Sequence, residues 1–512
     1  MKDAKVLKNS YYDSVTLMSA TVEIKKELHL NDLVMFMGTD MNKDMIKSVG
    51  LYQESLDQAK PNDLMLAIDM QDELDDWVDQ VFKHLSGSKK ANTSTKENKP
   101  KTIHQAKDTL DANIAVISIP GIYAAHEAFS ALDHNMHVML FSDNVSVEDE
   151  IALKDYAIEK DLLVMGPDCG TAILNGIGLC FANQVKRGSI GLVAASGTGL
   201  QEVTVIIDRF GGGITQAIGV GGRDLSEAVG GKMMLKGIDA LDQDEETKVI
   251  VLISKPPHHT VLEKIKTRLK AIKKPVVMCL LDATMDQKIK QVHFVSTLTE
   301  AAIEALKLID IKTPDLLTFD QDLKDEIKRH KDMFQPKQSK IKGLFCGGTL
   351  TAEALSILRP HIKGLTSNVA KKDDEKMKNP LKSDGHNLVD LGDDIFTQGK
   401  PHPMIEPTIR IDRILLEAKN PETAVILLDF ELGLGSHEDP VGITLPGIVE
   451  AKSIAQKDNR QIAFVGYVCG TEQDTQGLKK SEDLLRQAGV IVAKTNAQAA
   501  MIAASLVSEV KA

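Results

Sequence analysis

The chain has 512 residues, which is too long for a single hydrophobic core and predicts about three domains. Its apolar fraction of 43% and charged fraction of 26% are those of an ordinary soluble globular protein. The net charge of −12 argues against a nucleic-acid binder, and no apolar stretch reaches the ~18 residues of a membrane helix, so a soluble, cytoplasmic protein is expected.

Residues 1–86 are predicted to form a small α/β domain. Two apolar runs, LVMFMG (33–38) and DLMLAID (63–69), read as strands, with helical segments between them. The following segment, 87–102, is rich in Ser, Lys, Asn and Thr without apolar periodicity, which is typical of a linker.

Residues 103–311 alternate short, continuous apolar runs with amphipathic helical stretches. Runs without alternation indicate strands covered on both faces, hence parallel sheets packed between helices. The predicted strands are NIAVISIP (113–120), HVMLFS (137–142), LLVMGP (162–167), IGLVAAS (190–196), VIVLIS (249–254) and PVVMCLL (275–281).

A highly charged stretch, 312–340, is interpreted as a second linker, and residues 341–512 repeat the strand–helix alternation. The predicted strands of this last block are IKGLFC (341–346), NLVDLG (387–392), TAVILLDF (423–430), QIAFVGYV (461–468) and VIVAKT (490–495). The fold class is therefore predicted as multidomain α/β with parallel sheets.

One turn occurs twice. LVAASGTGLQE (192–202) and LFCGGTLTAE (344–353) both run from an apolar strand through small residues and Gly-Thr to a Glu in a helix. Ligands of parallel sheets bind where strands end and helices begin, and helix N-termini attract anions. We therefore predict an anion site made of the two turns, with these residues: Ser196, Gly197, Thr198, Gly199, Gly347, Gly348 and Thr349.

The alternative for each turn alone is a tight β–α connection, because Gly and a Ser or Thr cap are common there. No complete phosphate loop, G-x-x-x-x-G-K-[ST], and no G-x-G-x-x-G supports a nucleotide site. Five dispersed cysteines without CxxC predict neither a disulfide framework nor a zinc site, and no metal is assigned.

Longer motifs resemble a known family. The segment from NIAVISIPG to MGPDCGTAI is similar to the CoA-binding domain of the succinyl-CoA synthetase α subunit, and GSIGLVAASGTGLQEV to the start of its flavodoxin-like domain. The block from 341 resembles the CoA-ligase domain of the β subunit. More narrowly, FSDNVSVEDEIALK, GVGGRDLSEAVGG and DLGDDIFTQGKPHPMIEPTIR resemble the FdrA family of acyl-CoA-synthetase-like proteins.

This resemblance implies a domain order. A Rossmann-like, CoA-binding-type domain would span 103–186, a flavodoxin-like domain 187–311 and a second flavodoxin-like, CoA-ligase domain 341–512. The synthetases bring one helix N-terminus from each of two such domains to a shared phosphoryl site, which would explain why the turn is repeated.

The resemblance also implies two activities. One is acyl-CoA formation through an acyl phosphate, by an NDP-forming synthetase. The other is oxamate carbamoyltransferase, in which FdrA-type chains form one subunit and carbamoyl-oxamate plus phosphate gives carbamoyl phosphate plus oxamate. Phosphate or carbamoyl phosphate would be a substrate, CoA a further ligand, and partner subunits would complete the enzyme. A non-catalytic scaffold of the same fold is the third alternative.

Three departures from the synthetases favour the transferase. The region of the shuttle histidine, PVVMCLLDATMDQ (275–287), contains no histidine, and the acidic stretch that steadies that histidine is replaced by ISKPP, where Lys255 has the opposite charge. The Gly-rich CoA loop is not evident in residues 1–112, and no ATP-grasp domain precedes residue 341.

Four further residues are weighed individually. His402, between two prolines, could hydrogen-bond the transferring carbonyl, act as an acid or base, be phosphorylated, or be a loop histidine bonded to backbone. Arg410 either neutralises a substrate carboxylate or pairs with Glu406 on a helix surface. Arg223 either clamps an anion or forms a solvated pair with Asp224. Lys255 suits a bound phosphate or carboxylate.

Overall fold

The computed structural model describes residues 2–508 except 11, 13–16, 18–19, 22–23, 26–27, 29, 31, 71–76, 88–99, 284–288, 383 and 398–399. The chain divides into two compact units, 1–99 and 100–512. Residues 88–99 of the predicted linker lie outside the described part. None of the helices in that part combines the length and apolar character needed to cross a bilayer.

The N-terminal unit has both strands and helices among its described residues, where a small α/β domain is expected over 1–86. Its three strands form an antiparallel sheet in the order β1-β3-β2. The elements are β1 (Lys2–Leu7), β2 (Asp32–Met37), α1 (Asp40–Ser48), β3 (Leu64–Asp69) and α2 (Trp77–Gly87). Helix α1 begins where the Thr39 side chain accepts a hydrogen bond from the Asn42 amide.

The second unit begins with a small parallel sheet of order β4-β5-β6. The three strands lie within the predicted runs 113–120, 137–142 and 162–167. The elements are α3 (Ile103–Leu110), β4 (Ile114–Ile117), α4 (Gly121–Asp133), β5 (His137–Leu140), α5 (Val147–Glu159) and β6 (Val164–Met165).

A seven-stranded sheet follows, in the order β13-β12-β11-β9-β10-β7-β8, and we call residues 166–311 the first lobe. Its elements are β7 (Thr171–Leu174), β8 (Ile177–Cys180), β9 (Arg187–Ala194), α6 (Gly197–Arg209), β10 (Ile214–Gly219), α7 (Lys232–Gln243), β11 (Val249–Ser254), α8 (His259–Leu269), β12 (Val276–Leu280), β13 (Val292–Val295) and α9 (Leu298–Lys307). Strands β7 and β8 are an antiparallel hairpin that joins this sheet through β10, so the sheet begins before residue 186.

The six-stranded sheet is entirely parallel, in the order β15-β16-β14-β17-β18-β19, and we call residues 341–508 the second lobe. The elements from residue 312 are α10 (Gln321–Asp332), β14 (Lys340–Phe345), α11 (Gly348–Leu358), β15 (Leu365–Ser367), β16 (His386–Asp390), α12 (Asp394–Thr397), α13 (Thr408–Lys419), β17 (Thr423–Glu431), α14 (Pro440–Lys457), β18 (Ala463–Cys469), α15 (Leu478–Gln487), β19 (Val490–Ala493) and α16 (Asn496–Val507).

The two lobes share one core. Helices α6 and α9 of the first lobe pack against α11 and α16 of the second, and one buried apolar cluster continues across this seam. The segment 312–340, expected to be a connection, contributes to the same cluster, because α10 packs against α16 and buries Ile327. The predicted α/β class with parallel sheets is confirmed, with both lobes in one compact unit.

A buried ion network joins α5 to the first lobe. Lys154 is fully buried, and its ammonium donates to Glu150 Oε1 and Asp224 Oδ1, each at 2.8 Å, and to the Val220 carbonyl at 3.1 Å. The Asp224 carboxylate also accepts from the first amides of α7, those of Met233 and Met234. One cation therefore holds two carboxylates and a helix N-terminus together.

Replacing that cation tests the network. Lys154→Met should lower the free energy of unfolding by about 3–5 kcal/mol, because the buried Asp224 carboxylate loses its counter-charge and Glu150 keeps only its contact with Arg223. Arg486→Met, which breaks an exposed 2.8 Å pair with Glu482, should cost less than about 1 kcal/mol. Urea denaturation measures both, and equal losses in the two variants would contradict this account.

Candidate functional site

The two repeated turns face each other. Ser196 precedes α6 and its hydroxyl accepts the Gly199 amide at 2.9 Å, while Gly347 occupies the corresponding position before α11. The Ser196 Oγ and Thr349 Oγ1 atoms lie 2.6 Å apart. The first turns of two helices from different lobes are thus joined by a direct hydroxyl–hydroxyl hydrogen bond.

Glycine is required at the seam for close approach. A Cβ on Gly347 would lie 3.1 Å from the Thr198 methyl group, and one on Gly199 would lie 2.6 Å from Ser196 Oγ and 3.1 Å from the Thr349 methyl group. Gly199 and Gly347, which we expected to admit an anion, are therefore placed at the contact between the helices. Neither lines the cavity described next.

The helix N-termini open into a cavity of ≈ 1170 Å³ within the second unit. Among the described hydrogen bonds, the amides of Gly197, Thr198, Gly348 and Thr349 have no protein acceptor, and all four residues line the cavity. Unpaired amides and the positive ends of two helix dipoles make this a favourable place for an anion.

Charged side chains of both signs line the same cavity. The cations and imidazoles are Arg223, Lys255, His258, Lys371, Lys400 and His402. The acids are Asp143, Asp168, Glu227, Asp390 and Asp394. Of the predicted site residues, the cavity thus brings together Ser196, Gly197, Thr198, Arg223, Lys255, Gly348, Thr349 and His402.

Lys255 follows β11 and reaches into the cavity. The surrounding protein lowers the pKa of its ammonium through desolvation, and Lys371 lowers it further, whereas Asp390 and Asp393 oppose the shift. An anion bound between the helix ends would counteract this desolvation by supplying a nearby negative charge.

Asp390 is a cavity acid that the sequence analysis missed. It ends β16, and its carboxylate accepts the Gly392 amide at 2.9 Å, while Asn368 holds its backbone on both sides at 2.9 Å. Its Oδ2 lies 2.5 Å from where a Cβ on Gly348 would stand, beside the free amides of α11. Burial raises the pKa of Asp390 to about 7, so this carboxyl group exchanges a proton near neutrality.

His402 is held as a neutral imidazole. Desolvation lowers its pKa to about 4, and its Nδ1 accepts the Met404 amide at 3.2 Å. Because Nδ1 is an acceptor, the ring proton is assigned to Nε2. His402 is therefore suited to donate a hydrogen bond from Nε2, and a role as an acid or base near neutral pH is disfavoured.

Arg410 neither faces the cavity nor pairs with Glu406 on the helix surface, the two positions expected for it. It is 3% exposed and does not line the cavity; instead its guanidinium donates to Asp429, both to the carboxylate at 3.2 Å and to the backbone carbonyl. Glu406 accepts from Thr408, so no surface pair with Arg410 forms. The carboxyl end of β17 attracts this arginine because Asp429 is buried there.

The buried Asp429 carboxylate fixes the backbone of the second turn, 346–349, on the side away from the cavity. Its carboxylate accepts the amides of Cys346 at 2.8 Å and Gly347 at 2.9 Å. With Cys346 and Glu431 it forms a group whose ligand-type atoms lie within 4.8 Å of one another. Arg410 contacts all three side chains and already balances their charge, so we assign no metal here.

Arg223 and Asp224, neighbours in the segment GVGGRDLSEAVGG (219–231), do not form the solvated pair that was the alternative. Arg223 stays on the cavity wall, where it binds the Val145 carbonyl at 2.8 Å and Glu150 at 3.0 Å. Asp224, expected to be a solvated partner of Arg223, is fully buried in the Lys154 network. Nearby Asp168 faces the cavity; desolvation and the charges of Asp143 and Asp394 raise its pKa to about 6.

Three family models match the chain. A CoA-ligase model matches residues 344–506, a CoA binding domain model 185–280, and a model described as the AllF heavy metal-associated domain 1–102. The CoA-binding match thus falls on the first lobe, whereas the resemblance in sequence placed that domain at 103–186. The segment 1–102 contains no cysteine.

Individual proteins are also similar. The chain is 45% identical over 504 residues to the uncharacterized protein YahF of Escherichia coli K12, covering 97% of this chain and 96% of that one. It is 29% identical over 156 residues to the succinate–CoA ligase [ADP-forming] subunit alpha of Staphylococcus epidermidis, covering 30% of this chain and 50% of that subunit.

Among solved structures, a dinucleotide-forming acetyl-coenzyme A synthetase 1 of Ca. Korarchaeum cryptofilum, in complex with phosphate and ADP, is 13% identical. The match covers 77% of this chain and 82% of that one with a TM-score of 0.29, a likeness on which no argument about function rests.

The tautomer and pKa of His402 are open to direct measurement. In an NMR pH titration with His402→Gln for assignment, the imidazole should remain neutral down to about pH 5 and titrate near 4, where burial places its pKa. Because the folded pKa is below the unfolded value of about 6.5, His402 should destabilise the fold progressively as pH falls from 6.5 to 4. Titration at pH 6 or above would contradict this environment.

Proposed function

This chain belongs to the FdrA family of acyl-CoA-synthetase-like proteins, and from that premise we propose that it transfers a carbamoyl or other acyl group to phosphate. The observation that carries the proposal is the pair of facing helix N-termini, with four unpaired amides opening beside Lys255. Phosphate bound there would meet two positive helix ends, the Ser196 and Thr349 hydroxyls and one ammonium.

The reaction at this site is a displacement at a carbonyl carbon. A phosphate oxygen attacks that carbon, the bond from the carbon to the leaving nitrogen breaks, and the nitrogen takes up the proton that the phosphate hydroxyl releases. Negative charge develops on the carbonyl oxygen in the transition state, so a hydrogen-bond donor aimed at it accelerates the step.

Two cavity residues have the required properties. His402 has its proton on Nε2 and would donate a hydrogen bond to the carbonyl oxygen. Asp390, with a pKa of about 7, would take the proton from phosphate and return it to the leaving nitrogen. Both groups adjoin Gly392: Asp390 accepts its amide, and His402 Nε2 lies 2.3 Å from where a Cβ on that glycine would stand.

Carbamoyl-oxamate is the donor that membership of the family suggests, giving carbamoyl phosphate and oxamate as products. Its planar amide and carboxylate groups suit the mixture of donors and acceptors on the cavity wall. Lys371 and Lys400 are the cavity cations available for the oxamate carboxylate, since Arg410 is occupied by Asp429 and Arg223 by Glu150. We also propose that partner subunits complete the enzyme.

A second candidate is a synthetase that forms an acyl-CoA through an acyl phosphate. The CoA-ligase and CoA binding domain matches favour it, and the cavity, at ≈ 1170 Å³, exceeds the ~300–1,000 Å³ typical of small-ligand pockets. Both candidates share the acyl-phosphate step and the anion site, so they differ in whether CoA binds.

Ligand-dependent stability should identify the anion site. Carbamoyl phosphate or phosphate, present at 100 times its dissociation constant, should stabilise the purified chain by about 2.7 kcal/mol, measured as a shift in melting temperature. Oxamate, CoA and ATP–Mg are compared in parallel. Stabilisation by CoA alone would favour the synthetase, and stabilisation by none of the ligands would favour a scaffold.

Two substitutions test whether the anion binds at the helix ends. Thr349→Val and Lys255→Met should each weaken anion binding by about 1.5–3 kcal/mol, roughly 10- to 150-fold, since each removes a hydrogen bond to a charged group. Thr204→Val is the matched control: this buried α6 threonine donates to the Gln201 carbonyl, away from the cavity. Unchanged affinity in both site variants would exclude this location.

A further inference from the structure

The repeated turn ends in a glutamate, and the two glutamates occupy equivalent places. Glu202 is the sixth residue of α6 and Glu353 the sixth residue of α11, and both are fully buried. Each glutamate lies five helical steps beyond the residue with the first free amide, about 7.5 Å along the axis. Neither glutamate lines the cavity, so neither touches a bound anion.

Each glutamate reaches across the seam to cap a helix of the opposite lobe. Glu353, in the second lobe, accepts the amide of Leu298, the first residue of α9, at 2.7 Å. Glu202, in the first lobe, accepts the amide of Asn496, the first residue of α16, at 3.2 Å. The two contacts are reciprocal, because α9 and α16 occupy corresponding places in their lobes.

Asn496 connects the two caps. Its backbone amide binds Glu202, while its side-chain amide donates to Glu353 Oε2 at 2.7 Å and to the Leu350 carbonyl at 3.0 Å. Leu350 directly follows Thr349, which touches Ser196 at the cavity. One buried residue therefore joins the starts of α11 and α16 to the middle of α6, through its side chain to α11 and its backbone amide to α6.

Stability alone does not explain this arrangement. Two buried carboxyl groups in proximity are costly, and burial together with the Glu202 charge raises the pKa of Glu353 to about 8. Apolar residues would fill the same core more favourably. What the carboxyl groups supply, and apolar side chains cannot, is directional bonding to the helix starts of the opposite lobe.

We propose that Glu202, Glu353 and Asn496 are positioning residues that hold the N-termini of α6 and α11 at the separation required to bind one anion between them. This inference rests on the proposed anion site. The repeat, Gly-Thr followed four residues later by Glu, then has two roles in both of its copies. The small residues at the helix start face the ligand, and the glutamate sets the distance between the two copies.

The test measures phosphate and carbamoyl phosphate affinity below the melting temperature of each variant. Glu353→Ala and Glu202→Ala should weaken binding by about 5- to 150-fold, the range typical of coupling between separate sites. Glu353→Gln, which keeps one acceptor for Leu298, should weaken binding less and remains available if the alanine variants do not fold.

Glu300→Ala is the matched control. Glu300 caps the same end of α9, but it accepts the amides of Ser296 and Thr297 within the first lobe and makes no bond across the seam. This variant should lose stability yet bind phosphate as the unmodified chain does. Equal loss of affinity in Glu300→Ala and Glu353→Ala would show a general structural effect and overturn the inference.

Hydrogen exchange in the unmodified chain provides a second readout. Phosphate should slow exchange of the Leu298 and Asn496 amides, which lie outside the cavity, because coupling between the anion and the caps is reciprocal. Bound phosphate with unchanged exchange, or unchanged affinity in Glu353→Gln and Glu202→Ala, would overturn the positioning role alone. Failure of the unmodified chain to bind any phosphate compound would overturn the anion site and, with it, this inference.

Discussion

Two helix N-termini point at each other across a single hydroxyl–hydroxyl contact of 2.6 Å, and much of the second unit depends on that constraint. The positive ends of two helix dipoles repel one another, so something else must hold them face to face. The shared core of α6, α9, α11 and α16 supplies the packing force, and the carboxyl groups of Asp429 and Asp390 supply negative charge at the second helix end.

The position of Asp429 determines which backbone amides of the second turn are bonded within the protein and which stay unpaired. Asp429 takes the amides of Cys346 and Gly347, and so leaves those of Gly348 and Thr349 for a ligand. Arg410 balances the charge of Asp429 from inside the protein, so an incoming anion meets little of that charge. The buried Arg410–Asp429 pair thus restricts the proposed anion to the two amides on the cavity side of the turn.

Most of the strands could be predicted from the sequence, but only part of the candidate site could. Continuous apolar runs identified most strands of the parallel sheets, and the repeated Gly-Thr turn identified the facing helix ends. The antiparallel β7–β8 hairpin was missed because its alternation is short, and the roles of Asp390, Arg410 and Glu353 were missed because their partners are distant along the chain. A carboxylate directly after a strand, as in DLGDD, is the signal that pointed to Asp390 and was not used.

Both lobes lie on one continuous chain, and the segment between them is itself packed, since α10 buries Ile327 against the shared core. The two helix ends therefore meet within one molecule. The effective concentration of one end near the other is set by the fold and not by the amount of protein in solution. Extreme dilution would not separate the two halves of the proposed anion site. Helix ends carried by separate subunits would instead part as the subunits dissociate, so tethering makes the meeting of these two helix ends independent of protein concentration.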